Sequence, residues 1–238
     1  MVSLSKFWSR KSRRQSKRSE APARYLLEGL ESRVLLTIGD AGPFVSVLSI
    51  VNRGGRYYYI YAGDGADTIT VNVGTSDLQA NGENGDDVLN SNGTCCGSFS
   101  GGAGNDTLIG GSGMDNLYGD GGNDSLTGGP GNDLLAGGTG NDTIFAGGGD
   151  DYVYGNDNAD SLEGQGGNDT IDGGAGNDII NGGNDNDYII GGTGADLIHG
   201  NGGNDKIEAH DGTGTDTIFG DAGQDTLLNS DSGDVWTQ

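Results

Sequence analysis

Positive charge is almost missing from most of this chain. Of its 12 lysines and arginines, eight fall within the first 24 residues (Lys6, Arg10, Lys11, Arg13, Arg14, Lys17, Arg18 and Arg24), and Arg33, Arg53 and Arg56 follow. From residue 62 onward Lys206 is the one base against 31 acids, a local charge of -30. Such a segment repels nucleic acid, which is excluded as a partner. It also repels itself, and is expected to stay unfolded until something supplies positive charge.

Apolar side chains are scarce as well, at 32 % of the chain against roughly 45–50 % in ordinary domains. A large closed core is excluded, whereas a thin core repeated along an axis fits the supply. No stretch is long and apolar enough for a membrane span. The basic start lacks the uninterrupted apolar stretch of a secretory signal, and Arg13-Arg14 runs into the polar Gln15-Ser16-Lys17-Arg18. The two cysteines, Cys95 and Cys96, are adjacent. Neighbours bridge only with strain and no zinc-site spacing exists, so they read as free thiols. Neither H-E-x-x-H nor G-x-S-x-G occurs. The roughly 40 residues outside the β-rich region are too few for a catalytic domain, so the chain is expected not to be an enzyme.

Glycine is what the chain has in excess, 50 of 238 residues, and it is periodic. Gly101-Gly-Ala-Gly-Asn-Asp-Thr-Leu-Ile109 is followed nine residues later by Gly110-Gly-Ser-Gly-Met-Asp-Asn-Leu-Tyr118, and the register holds through 12 units to Glu208. Position six is aspartate in all 12: Asp106, Asp115, Asp124, Asp133, Asp142, Asp151, Asp160, Asp169, Asp178, Asp187, Asp196 and Asp205. Position eight is Leu, Ile or Val in all 12, and position four is Gly except at Asn158 and Asp185. Asp120, Asn156, Gln165 and Asn201 replace Gly at position two, which is expected to weaken those turns. Ala209 and His210 then interrupt the phase, which resumes at Asp216, Asp225 and Asp234, and this slip is expected to break a stack. Asp67/Ile69 and Asp87/Leu89 form two degenerate early units. Glycine permits backbone that a Cβ forbids and lets carbonyls point at one spot. The aspartate supplies a hard anionic oxygen. Positions seven to nine read as a three-residue strand whose middle side chain turns inward. Such strands bury a continuous core only when stacked.

These units resemble the hemolysin-type, or RTX, calcium-binding repeat, with its pattern G-G-x-G-x-D-x-U-x. The resemblance implies an all-β, right-handed parallel β-roll in which two units make one coil, so that units 18 residues apart stack on the same edge. It implies multiple calcium ions between stacked turns, held by the position-six carboxylates, with Asp216 and Asp225 added after the slip. The remaining ligands would be glycine-turn carbonyls, including those of Gly102, Gly104, Gly111, Gly113, Gly129, Gly131, Gly138, Gly140, Gly174, Gly176, Gly192 and Gly194. Six turns on an edge leave five gaps, and two edges therefore offer ten sites from the firm units. Calcium takes about 6–8 oxygen ligands at flexible angles, whereas magnesium demands a tight octahedron. Zinc and copper want nitrogen or sulfur, and the repeats offer only His199 and His210. Binding free energy then becomes folding free energy.

The ends are less regular. Residues 1–40 read as a basic, disordered sorting segment, 41–100 as an N-terminal β cap with degenerate repeats, and 101–238 as the roll. Leu27, Leu30 and Val34 recur at helical spacing, which predicts a short helix over residues 25–36. Leu30-Glu-Ser-Arg-Val-Leu-Leu36 also resembles the LEPR-XLL motif found at the start of many bacterial surface or exported proteins, with Ser32 in place of Pro. Phe44–Val51 and Tyr57–Tyr61 read as strands. The tyrosine run suits a half-buried cap on the open end of the roll, or alternatively a ligand platform. RTX proteins exported in one step usually carry a C-terminal secretion segment. Here Gln238 follows Asp234 by four residues, so either the N-terminal motif directs export or the chain is a fragment. The resemblance implies a bacterial extracellular or cell-surface protein with a structural or adhesive role toward surface or matrix components. The alternative is a toxin-like or enzyme-accessory module acting with a separate chain.

Overall fold

The computed structural model describes residues 59–71, 78–91, 93, 97–209 and 214–238, together with the backbone of Tyr57, Tyr58 and three short strands, Arg24–Leu26, Arg33–Thr37 and Val47–Ser49. Among the described residues all regular structure is β. Successive strands alternate between an 11-stranded and a 10-stranded parallel sheet, so the chain winds as a two-sided solenoid. Through the firm units, residues 18 apart stack: Leu117 pairs with Leu135, Leu135 with Val153 and Val153 with Ile171 in one sheet. In the other, Leu126 pairs with Ile144 and Ile144 with Leu162.

The position-eight side chains are the core. From Leu108 to Ile207 all 12 are fully buried, in two facing ladders only one residue wide. Burying each contributes about 1.5–3 kcal/mol, and no side chain could bury itself in a single turn. The degenerate early units join the same core through Ile60, Ile69, Leu78 and Leu89. In the larger sheet Ile60, Ala80, Phe99 and Leu117 stack in order, so the ring of Phe99 lies beside the smallest rung, Ala80. Interiors tolerate such swaps when the local volume is kept.

Three expectations are corrected. The strands of the firm units are mostly six residues long rather than three: Asn116–Gly121 and Leu134–Thr139 continue from position seven through position three. The residues at positions two and three, such as Asp120 and Gly121, pair with the next turn, which confines the turn itself to positions four to six. The helix expected over residues 25–36 is not formed where that stretch is described, since Tyr25 and Leu26 lie in one strand and Arg33–Thr37 is another. Arg33–Thr37 pairs with Tyr57–Tyr61 and extends the larger sheet by one rung. An isolated helix of about 12 residues is marginal in water, whereas pairing satisfies an otherwise bare sheet edge. Finally, the slip at Ala209–His210 breaks neither stack. Ile198 pairs with Ile218, Ile207 with Leu227, and Ala209 is fully buried. Residues 210–213 lie outside the described residues, and the pairing resumes beyond them with one register shift, between Ile207 and Glu208. Cys95, Cys96, His210 and the Leu30–Ser32 part of the LEPR-XLL-like stretch also lie outside them.

Candidate metal centre

Each position-six aspartate turns inward at the end of a turn and is almost wholly buried, from Asp106 to Asp205. Its Oδ1 accepts the backbone N–H of the equivalent aspartate one coil earlier. Asp106 donates to Asp124 at 2.7 Å, Asp124 to Asp142 at 2.7 Å and Asp142 to Asp160 at 2.7 Å. The file begins at Asp67 and Asp87, runs through Asp178 and Asp196, and continues to Asp216 and Asp234. A second file on the opposite edge links Asp115, Asp133, Asp151, Asp169, Asp187, Asp205 and Asp225, headed by the N–H of Gly97. Asp67 and Asp87, read from sequence only as loose fits, are therefore regular members.

The other carboxylate oxygen is left over. Oδ2 of Asp106, Asp115, Asp124, Asp133, Asp142, Asp151, Asp160, Asp169, Asp178, Asp187 and Asp205 is buried with no hydrogen-bond partner. It lies over the position-one glycine of its own unit. A Cβ on Gly128 would sit 2.5 Å from both Asp133 Oδ2 and the Ala146 carbonyl oxygen, and one on Gly200 would sit 2.5 Å from Asp205 Oδ2. Position one is Gly in every firm unit but the one beginning at Ala146, which keeps the space beside the carboxylate clear in the other 11.

Burial of these carboxyls raises them far above the usual carboxylate range. Asp106, Asp124, Asp133, Asp142 and Asp169 rise to about 6, Asp115, Asp151 and Asp160 to about 7, and Asp187 to about 8. Desolvation is the main cause, neighbouring aspartates of the same file add to it in most of them, and the backbone N–H opposes it.

The turn carbonyls are arranged along the same edges. Gly104, Gly122 and Gly140 at position four take positive φ, with the carbonyl of each lying against the Cα of the next. Gly131, Gly149 and Gly167 repeat this on the other edge. No hydrogen bond among the described residues is made to these position-four carbonyls. At position two the carbonyls of Gly111 and Gly129 lie in the same way against Gly129 and Gly147, and those of Gly174 and Asn156 against Gly192 and Gly174. Gly102 and Gly138 lie against the carbonyls of Glu83 and Asp120, and Gly176 and Gly194 against those of Asn158 and Gly176. The carbonyl of Gly113 and Oδ1 of Asp133 approach one point, where a Cβ on Gly131 would lie. The edges thus present carboxylate and main-chain oxygens to the same spaces. Asn158 and Asp185 at position four adopt φ of 79° and 75°, so both residues keep the turn that glycine makes elsewhere.

Among the described residues no three His, Cys, Asp or Glu side chains converge, so any ion here must draw on main-chain oxygen as well. His199 stacks on Phe219 at 4.6 Å and its Nδ1 lies 2.9 Å from Asp221 Oδ2, on the outer face away from both files. This donor set of carboxylates and carbonyls suits a hard cation of flexible geometry.

One device escaped the sequence reading. Position five carries a second side-chain file that runs the opposite way. Oδ1 of Asn105 accepts the N–H of Asn123 at 2.9 Å, and Oδ1 of Asn123 accepts that of Asn141 at 2.7 Å. On the other edge Asp150, Asn168, Asn186 and Asn204 do the same in sequence. The signal was present, since position five is Asn or Asp in nine of the 12 firm units. It fixes each turn to its neighbour from outside while the aspartate fixes it from inside.

The family described as the RTX calcium-binding nonapeptide repeat (4 copies) matches residues 59–76, 98–126, 127–162, 154–189, 181–213, 190–227 and 208–234, more than half of the chain. No curated protein matches it.

Proposed function

The chain belongs to the family of RTX calcium-binding nonapeptide repeats, and we propose that it is a secreted or cell-surface calcium-binding protein, structural or adhesive rather than catalytic, that folds as it loads. The observation that carries this reading is the row of buried Oδ2 atoms without partners, on the same edges as position-four carbonyls that accept no hydrogen bond among the described residues. A buried carboxylate lacking a partner costs several kcal/mol. Two files of them can be compact at neutral pH only if the charge is neutralised.

The residues that would hold calcium are the position-six aspartates from Asp106 to Asp205, with Asp67, Asp87, Asp216 and Asp225 in the same files, and the position-two and position-four carbonyls. A bound calcium supplies positive charge and satisfies oxygens from two successive turns. The protein's part is to hold those oxygens in register by the Asp-to-backbone bonds, while the position-eight ladder keeps water out. Extracellular modules bind at roughly 10⁻⁴–10⁻³ M, which fits folding outside the cell and an extended chain inside.

The test is a far-UV circular dichroism titration of the calcium-free chain to about 10 mM calcium, roughly ten times the weak end of that range, with calorimetry for stoichiometry. A cooperative gain of β signal supports the reading. A flat titration, or equal response to magnesium, counts against it.

A further inference from the structure

The tyrosines are sorted to one side of the solenoid. Every tyrosine whose side chain is described, Tyr59, Tyr61, Tyr118, Tyr152, Tyr154 and Tyr188, lies on the larger sheet, and none is buried. The position-nine column of the other sheet, equivalent to that of Tyr118 and Tyr154, carries Ile109, Thr127, Phe145 and Glu163 and so holds no tyrosine there. The core does not need these rings, because the ladders are complete without them. The calcium edges do not use them either.

On that face Tyr118, Ala136 and Tyr154 are consecutive rungs of one column. Two rungs separate the tyrosines by about 9–10 Å, and the small Ala136 beside Tyr118 opens a shallow notch of about 330 Å³ that continues past Gly138 and Thr139. Its rim is polar, with Asp120, Asn156 and Asp157. Ser100 Oγ donates to Asp120 Oδ2 at 2.5 Å, which leaves Oδ1 available.

We propose that this face binds a neutral glycan, with one sugar ring seated on Tyr118 over Ala136 and the chain running on toward Tyr154 two rungs along. Tyrosine offers an apolar ring face to the C–H face of a sugar. Carboxylate and amide oxygens accept from hydroxyl groups, and the Asn156 amide donates to them. The notch lies within the size range of small-ligand pockets. The rim carboxylates Asp120 and Asp157, which lie outside the aspartate files, turn away anionic polysaccharides. A protein interface fits less well, because its centre is depleted of charged residues, whereas here carboxylates stand beside the rings. The column is straight and the sheet long, so a chain of sugars could lie along it.

The experiment is native affinity electrophoresis of the calcium-loaded full chain in gels containing hydroxyethylcellulose, a galactomannan, a soluble β-1,3-glucan or dextran, with alginate as an anionic comparison. Retardation is expected in at least one neutral gel and not in alginate. It should weaken about tenfold in Tyr118→Ala and Tyr154→Ala through the lost ring contact, and stay unchanged in Phe145→Ala on the opposite sheet. Circular dichroism in calcium identifies any variant that fails to fold, and Ala136→Trp, which fills the notch without removing a ring, should then abolish retardation. Migration unaffected by every neutral polymer overturns the proposal. So does equal loss in Phe145→Ala, or a self-associated form in sedimentation velocity that Tyr118→Ala disperses, which would give the face to a second copy of the chain.

Discussion

Asp124 holds Asp106 from one full coil away: the N–H of Asp106 donates to Oδ1 of Asp124 at 2.7 Å, although 18 residues separate them. The bond repeats along both edges and makes the position-six carboxylate two things at once. One oxygen pins the backbone of the preceding turn, and the other is the one we propose for a cation.

Substitution at Asp142 separates the two roles. Asp142→Ala deprives the Asp124 N–H of its acceptor, a loss of about 1–3 kcal/mol. Asp142→Asn keeps an acceptor oxygen but removes the charge. Both variants should bind fewer calcium ions by calorimetry, since Asp142 borders the gaps on either side. Only the alanine variant should also show early amide exchange at Asp124. Identical exchange in the two would mean that the N–H bond contributes nothing.

The pH dependence in chelator follows from the raised carboxyls. In the coil Asp115, Asp151 and Asp160 sit at about 7 and Asp187 at about 8, above their value of 3.8 in the unfolded chain. Folding therefore takes up protons. This stabilisation is complete below about pH 4 and is lost as pH rises through 6 to 8. The calcium-free chain should be most compact near pH 4–5 and expand toward pH 8, as read by small-angle scattering. In calcium the expansion should vanish, and calcium affinity should fall as pH drops through the same window. Expansion on acidification would contradict the sign.

Gln165 stands at position two with φ of 75°, where most units have glycine. Holding a glutamine there costs about 1–2 kcal/mol. Gln165→Gly should raise the melting temperature in calcium. Gly131→Ala should lower it, because φ is 153° and the new Cβ would meet the Gly113 carbonyl. Opposite shifts from the two variants are the result that matters.

Leu135 is fully buried, between the rungs Leu117 and Val153 of its own ladder and the ladder facing it. Leu135→Ala should cost about 2–5 kcal/mol. Because each coil contacts only its neighbours, hydrogen exchange should rise first in the coils around Leu135 and last near Ile207. Uniform loss of protection along the solenoid would show a more cooperative unit than the contacts suggest.

Much of the molecule was legible as a pattern. An aspartate at the sixth place of each nine-residue unit and an apolar residue at the eighth fix which side chains face inward, which turn they end, and which units share an edge. Those are properties of chemistry and period, and they belong to the chain alone. The strand length, the continuity across residues 209–210 and the membership of Asp67 and Asp87 were not legible. Each depends on whether a neighbouring coil offers a partner: the residues at positions two and three become strand only when the next turn pairs with them, and the ladders resume beyond residue 209 because Ile198 finds Ile218 and Ile207 finds Leu227. The tyrosine face shows the same division. The sequence scatters those rings over 130 residues, and stacking alone brings Tyr118 and Tyr154 to either side of Ala136, because an 18-residue coil lays distant positions side by side.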